Sequence, residues 1–237
     1  MTTAPPRTIT MASSATEAES AAVADALNAR GLRVILGSKS FTRKAILTEM
    51  GIEYEVVTAD IDEKAIRMDV PSELVMALAN AKADAIVSRL RGEGDASADR
   101  TTRTLLITSD QVVVHDGVIR EKPESEEEAR NFIASYGVSP ATTVGAIAVT
   151  DLETGARFSA GDSSTVHFAA VPAASIDFMI EEGECFHCAG ALMVEHQKMN
   201  PLVTRMDGSM DSVMGLSKAV VGRLIMEAIG ARDDKAD

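Results

Sequence analysis

Short apolar runs alternate with helical spacings along most of the chain. Leu32-Arg33-Val34-Ile35-Leu36 reads as a buried strand. The turn Gly37-Ser38-Lys39-Ser40 then leads into a helix that keeps Ala45, Ile46, Leu47 and Met50 for a core and stops near Gly51. A second strand is predicted from Tyr54 to Thr58, followed by the acidic segment Asp60-Ile61-Asp62-Glu63 and a long helix opened by Pro71-Ser72 and running to about Leu90. Arg91 to Arg103 mixes glycine with both signs of charge, as a solvated loop does. Leu105 to Val114 is a strand, or a strand pair broken at Ser109-Asp110-Gln111, and Asp116-Gly117 is a hairpin turn.

In the second half of the chain, Ser125 with Glu128 forms a capping-box pattern for a helix reaching Tyr136. Two β-rich stretches, 142–150 and 157–168, flank the turn at Thr154-Gly155, and helices are expected over 174–182 and 212–229. No internal repeat and no Gly/Ser linker divides the chain, so the pattern is one α/β domain of two lobes spanning 31–231. Residues 1–30 read as a loose, flexible arm, helical at most from Glu17 to Ala29, and 232–237 as a charged tail.

Composition narrows the function classes. Of the 237 residues 46% are apolar, enough for a sizeable core. The uncharged, apolar-dominated run Val138 to Thr150 is too short and too interrupted for a membrane span. A net charge of −13, with no dense Lys/Arg stripe, argues against binding nucleic acid polymers, and 3% aromatics with no Trp argue against stacking platforms. Cys185 and Cys188 are too few for a disulfide framework. The N-terminal stretch carries acids that an Arg-rich transit peptide avoids, so a cytoplasmic setting is expected.

Several residues stand oddly in this pattern. Ser38, Ser40, Arg43 and Lys44 put hydroxyls and cations where a helix presents unpaired N–H groups, which makes either an anion site or a capped first turn. Lys82 falls on the apolar line Leu74, Leu78, Ile86, Leu90; its ammonium either snorkels to water or faces a phosphate. Asp110, inside an apolar run, needs a cation, a metal or an exposed strand end. Asp60, Asp62 and Glu63 offer hard oxygen ligands for Mg²⁺ or form a solvated loop. Lys122-Pro123 is a further phosphate partner or a turn. Cys185-Phe186-His187-Cys188 lacks the second pair of a zinc site, and buried thiols are the default.

Taken in order, these fragments resemble the Maf family of nucleoside triphosphate pyrophosphatases. Leu36-Gly37-Ser38-Lys39-Ser40-Phe41-Thr42-Arg43-Lys44 is similar to the family's L-A-S-x-S-P-x-R-R opening, and Asp60-Ile61-Asp62-Glu63 to its D-x-D-E segment. Leu78-Ala79-Asn80-Ala81-Lys82-Ala83, Ser109-Asp110-Gln111-Val112 and Lys122-Pro123 match L-A-x-x-K-A, S-D-Q-V and K-P. His187-Cys188-Ala189-Gly190, Glu195 and Val213-Met214-Gly215-Leu216 follow in the expected order.

The resemblance implies a Maf/ITPase-like mixed sheet flanked by helices, with two lobes and a central cleft. It also implies cleavage between the α- and β-phosphates of a nucleoside triphosphate. Ser38, Arg43, Lys44, Lys82 and Lys122 would hold the triphosphate, Glu63 and Asp110 a divalent Mg or Mn, and Asp110 would activate water. Thr42, Gln111 and Glu195 would face the base. Gln111 and the His187-Cys188-Ala189-Gly190 run resemble the 7-methyl-GTP branch more than the dTTP/UTP branch. Thr42 stands where that branch commonly has an aromatic residue, Phe41 where the family has Pro, and Lys44 where it has a second Arg. A homodimer is what the family suggests, with a non-catalytic nucleotide-binding regulator of cell division as the alternative role.

Overall fold

The computed structural model describes residues 15–92 and 102–233. Most of the loop expected at 91–103, and the last four residues of the tail, lie outside the described residues. Helix α1 (Glu17–Ala29) is followed by β1 (Arg33–Leu36), α2 (Phe41–Glu49), β2 (Glu55–Val56) and α3 (Pro71–Gly92). Then come β3 (Thr104–His115), β4 (Val118–Arg120), α4 (Glu126–Ser135), β5 (Ala141–Asp151), β6 (Arg157–Phe168) and α5 (Ala173–Glu182). The chain closes with β7 (Val203–Asp207), the one-turn α6 (Met210–Val213) and α7 (Lys218–Asp233).

The strands form a seven-stranded mixed sheet in the order β2-β1-β3-β5-β6-β7, with β4 paired to β3, and helices flank it. β1 runs parallel to β2 and β3, placing Leu36 beside Val56 on one side and Ile107 on the other. β3 and β4 form the hairpin expected at Asp116-Gly117, where φ angles of 49° and 77° supply the left-handed turn that matches strand twist.

The chain divides into two compact units, and β3, β5 and β6 contribute residues to both. In the unit made of 15–111, 144–162 and 214–233, β1, β3 and β5 bury Leu36, Ile107 and Val149 with α2 and α7. In the unit made of 112–143 and 163–213, Val113, Ile133, Tyr136, Val166 and Met179 form the centre of a second core.

Three expectations change and one open alternative is resolved. The segment read as a loose arm is, over Glu17–Ala29, a docked helix: Val23, Ala24 and Leu27 are buried in the first core, and Thr16 with Glu19 completes a capping box. β3 runs as one strand through Ser109-Asp110-Gln111, the first of the two alternatives: Ser109 Oγ donates to Gly215 O and Asp110 pairs with Lys82, so these polar side chains are satisfied without a turn. The helix expected over 212–229 is split at Gly215, whose φ of 101° is left-handed backbone. At α4, Ser125 caps Glu128 N–H as expected, but the Glu128 carboxylate reaches back to Glu124 N–H instead of closing the box on Ser125.

Candidate active site

The β1–α2 turn is built by its hydroxyls. Ser40 caps α2 by accepting from Arg43 N–H at 3.4 Å, and Ser38 Oγ accepts from Ser40 N–H at 3.2 Å. Arg43 points back across this turn: its Nη1 donates to Ser109 O at 2.9 Å and Ser38 Oγ at 3.3 Å, while Nε donates to Gly215 O at 3.0 Å. The packing around Arg43 pulls its guanidinium below its ordinary pKa, opposed by the negative charges of Asp110 and Glu63. Those carboxylates are therefore close enough to act on it.

Lys82 does not snorkel. It is 9% exposed, and Asp110, on the neighbouring strand β3, is 8% exposed. The Lys82 ammonium donates to Asp110 Oδ1, and Glu63 Oε1 lies 3.0 Å from the same nitrogen. A buried charge of either sign costs several kcal/mol unless paired, so each explains the other's position in an apolar setting. Glu63 sits on a single 3-10 turn (Glu63–Ala65) that Asp62 caps by accepting from Lys64 N–H at 3.0 Å. Asp62 thereby holds the turn that presents Glu63, and Asp60 lies exposed before it.

Thr42 Oγ1 donates to Met214 O at 2.8 Å, and Lys44 continues the first turn of α2. Gln111 follows Asp110 on β3; a side chain placed at Gly215 would bring its Cβ within 2.9 Å of Gln111 Oε1. The Met214–Gly215 carbonyls and the Ser109 hydroxyl, which donates to Gly215 O at 3.1 Å, are the participants that the residue pattern left without a role. The signal for them was a glycine inside an otherwise helical pattern.

Lys122 and Glu195 belong to the other unit. There the Cys188 thiol is pushed up to about 12 by burial, with Glu195, Cys185 and Glu184 adding to the shift and Lys122 opposing it. Lys122, Cys188 and Glu195 are thus electrostatic neighbours. Crowding by protein also raises the Glu195 carboxyl above its usual range. Cys185 is buried, its thiol donating to Met179 O at 3.4 Å, as the default reading of the Cys-x-x-Cys run expects, whereas Cys188 is only partly buried.

Among the described residues no group of three or more His, Cys, Asp or Glu side chains is arranged to hold a metal. Glu63 and Asp110 nevertheless converge on one positive centre, the Lys82 ammonium. Such a pair suits a Mg-type ion, which takes one or two protein carboxylates and completes its shell with phosphate oxygens and water. No helix among the described residues is long and apolar enough to cross a membrane.

Comparison with known proteins gives a family-model match to Maf-like protein over residues 33–228. The chain is 39% identical over 194 residues to a 7-methyl-GTP pyrophosphatase of Dictyostelium discoideum, covering 82% of this chain and 96% of that protein. It is 36% identical to a nucleoside triphosphate pyrophosphatase of Salinispora tropica, covering 83% and 84% of the two chains. A 7-methyl-GTP pyrophosphatase of Idiomarina loihiensis is 34% identical, over 69% of this chain and 78% of its own.

Proposed function

The chain belongs to the Maf-like protein family, and on that premise we propose that it is a nucleoside triphosphate pyrophosphatase acting on a modified nucleotide, 7-methyl-GTP in the first place. The observation that carries the reading is the buried Lys82–Asp110 pair beside Arg43, joined from the exposed side by Glu63, which gathers acid, base and cation chemistry in a protein of net charge −13. The reaction is attack of water on the α-phosphorus. The P–O bond to the bridging α–β oxygen breaks, and the nucleoside monophosphate and pyrophosphate leave.

In this reading Asp110 Oδ1 orients the attacking water and accepts its proton, and Lys82 fixes the orientation of that carboxylate. Lys82, Arg43 and Lys44 meet negative charge on the phosphates, Ser38 adds a hydroxyl, and Lys122 supplies a further cation. Preorganisation favours Arg43 in this role, because three hydrogen bonds from its guanidinium already fix its plane. Glu63 and Asp110 would hold Mg²⁺ or Mn²⁺, which when bound neutralises phosphoryl charge and makes bound water more acidic. Gln111 reads the base by hydrogen bonding, and the Glu195 carboxylate complements the positive charge of a methylated guanine. The enzyme works in the cytoplasm as a homodimer in this proposal, with a free nucleotide as substrate.

The test is pyrophosphate release from 7-methyl-GTP, UTP, dTTP, CTP and inosine triphosphate with Mg²⁺ or Mn²⁺, with and without chelator. Turnover that is fastest on 7-methyl-GTP and stops on chelation is expected. Nucleotide binding without release would sink the enzymatic reading, and a preference for UTP or dTTP would move the substrate to the other branch.

A further inference from the structure

Thr42 follows the N-cap of α2, where the family resemblance sets a residue facing the base. Its hydroxyl is engaged elsewhere. Thr42 Oγ1 donates to Met214 O at 2.8 Å, and the next residue, Arg43, donates from Nε to Gly215 O at 3.0 Å. Two consecutive residues of the first turn of α2 therefore hold two consecutive carbonyls of the turn that splits α6 from α7.

Proton counting orders the chain of bonds. A threonine hydroxyl has one proton, and Thr42 gives it to Met214 O; at the 2.8 Å contact between Ser40 Oγ and Thr42 Oγ1 the donor must then be Ser40. Ser40 Oγ in turn accepts from Arg43 N–H. The helix cap and the link to Met214 are thus in series, each polarising the next. The Gly215 carbonyl is held from a second side: Ser109 Oγ donates to the same oxygen at 3.1 Å, and the following Leu216 is fully buried.

We propose that Thr42 is a positioning residue that latches the first turn of α2 to the Met214–Gly215 carbonyls and so sets Arg43 for the phosphates. This inference rests on the pyrophosphatase reading above for the use made of Arg43. It gives Thr42 a consequence opposite in kind to a base contact: loss of the latch weakens the grip on every triphosphate by the same factor and leaves the choice among bases unchanged.

The experiment compares wild type, Thr42→Val and Thr42→Ser by steady-state kinetics on 7-methyl-GTP and UTP, and by calorimetric binding of inorganic pyrophosphate, which has no base to read. For Thr42→Val, loss of one neutral hydrogen bond predicts about a fivefold fall in kcat/KM, carried by KM, on both nucleotides and a matching loss of pyrophosphate affinity. Thr42→Ser, which keeps the hydroxyl, restores both. Wild-type values in Thr42→Val, a change in the ratio between the two nucleotides, or collapse of the fold from so local a change would each overturn the latch. If wild type releases no pyrophosphate from any nucleotide, the pyrophosphatase reading fails; the latch then stands or falls on whether Thr42→Val weakens pyrophosphate binding, and no binding by wild type overturns both.

Discussion

At the scale of single residues the chemistry proposed above concentrates on Asp110 and Lys82. Asp110→Asn keeps the shape of the side chain and removes its capacity to take a proton, so turnover is expected to fall by ~10²-fold or more, and the melting temperature falls as well because Lys82 loses its buried counter-ion. Wild-type turnover in a folded Asp110→Asn protein would remove it as base. Lys82→Met keeps the apolar stem and deletes the charge; KM for each triphosphate should rise by roughly tenfold or more, the scale of a lost charge-assisted contact. An unchanged KM would leave Lys82 a structural counter-ion for Asp110 and Glu63. Cys188 offers a pH test. Burial holds its thiol at about 12, so the thiolate that reacts with iodoacetamide is scarce at neutral pH. Its labelling rate should keep climbing through pH 10, whereas an unperturbed cysteine, with a pKa of about 8.5, levels off. A plateau near pH 9 would contradict the burial. Lys82 and Asp110 were visible in the sequence as charges in apolar surroundings, because burial patterns are local. Their pairing was not, since an ion pair between a helix and a strand depends on how those elements dock.

Among the elements, the β5–β6 turn shows what a single carboxylate contributes. Asp151 is 1% exposed; its Oδ1 accepts from Glu153 N–H at 2.9 Å and Thr154 N–H at 3.2 Å, and its Oδ2 from Arg103 Nε at 2.8 Å. Burial, the largest influence, raises its pKa, but the bonds from Thr154, Arg103 and Glu153 together outweigh it and hold the carboxyl below its ordinary value. A depressed folded-state pKa contributes stability above the unfolded value of about 3.9 and loses it as pH falls through the folded value. Asp151→Asn should therefore destabilise the protein by about 2 kcal/mol at pH 7, with the difference from wild type shrinking in acid. Equal denaturation midpoints at pH 7 would show that the turn does not need the charge. The helix patterns and the Asp116-Gly117 hairpin were legible because side-chain period and turn chemistry are properties of neighbouring residues. The break at Gly215 was missed because its causes are distant: the carbonyls of that turn are held by Thr42, Arg43 and Ser109.

For the whole molecule, α1 lies ahead of the region matched by the family model, which starts at residue 33, yet it is part of the first core. Burial of Val23, Ala24 and Leu27 is worth on the order of 5 kcal/mol. A chain beginning at residue 31 should consequently unfold at markedly lower denaturant, exposing the apolar face of α7 that α1 packs against. An unshifted midpoint would mean that α1 adds nothing to the core. The α/β class, most of the elements and the family were legible in the residues alone, because these follow from local periodicity and from short motifs in a fixed order. The sequence also showed that a chain of net charge −13 handles phosphate only where a few cations are gathered. It took the packed fold to show that Lys82 is held between Asp110 and Glu63, that Arg43 and Thr42 are tied to the Met214–Gly215 carbonyls, and that the N-terminal helix belongs to the core. These are contacts between residues far apart in the chain, and their energies exist only once the elements that carry them have packed.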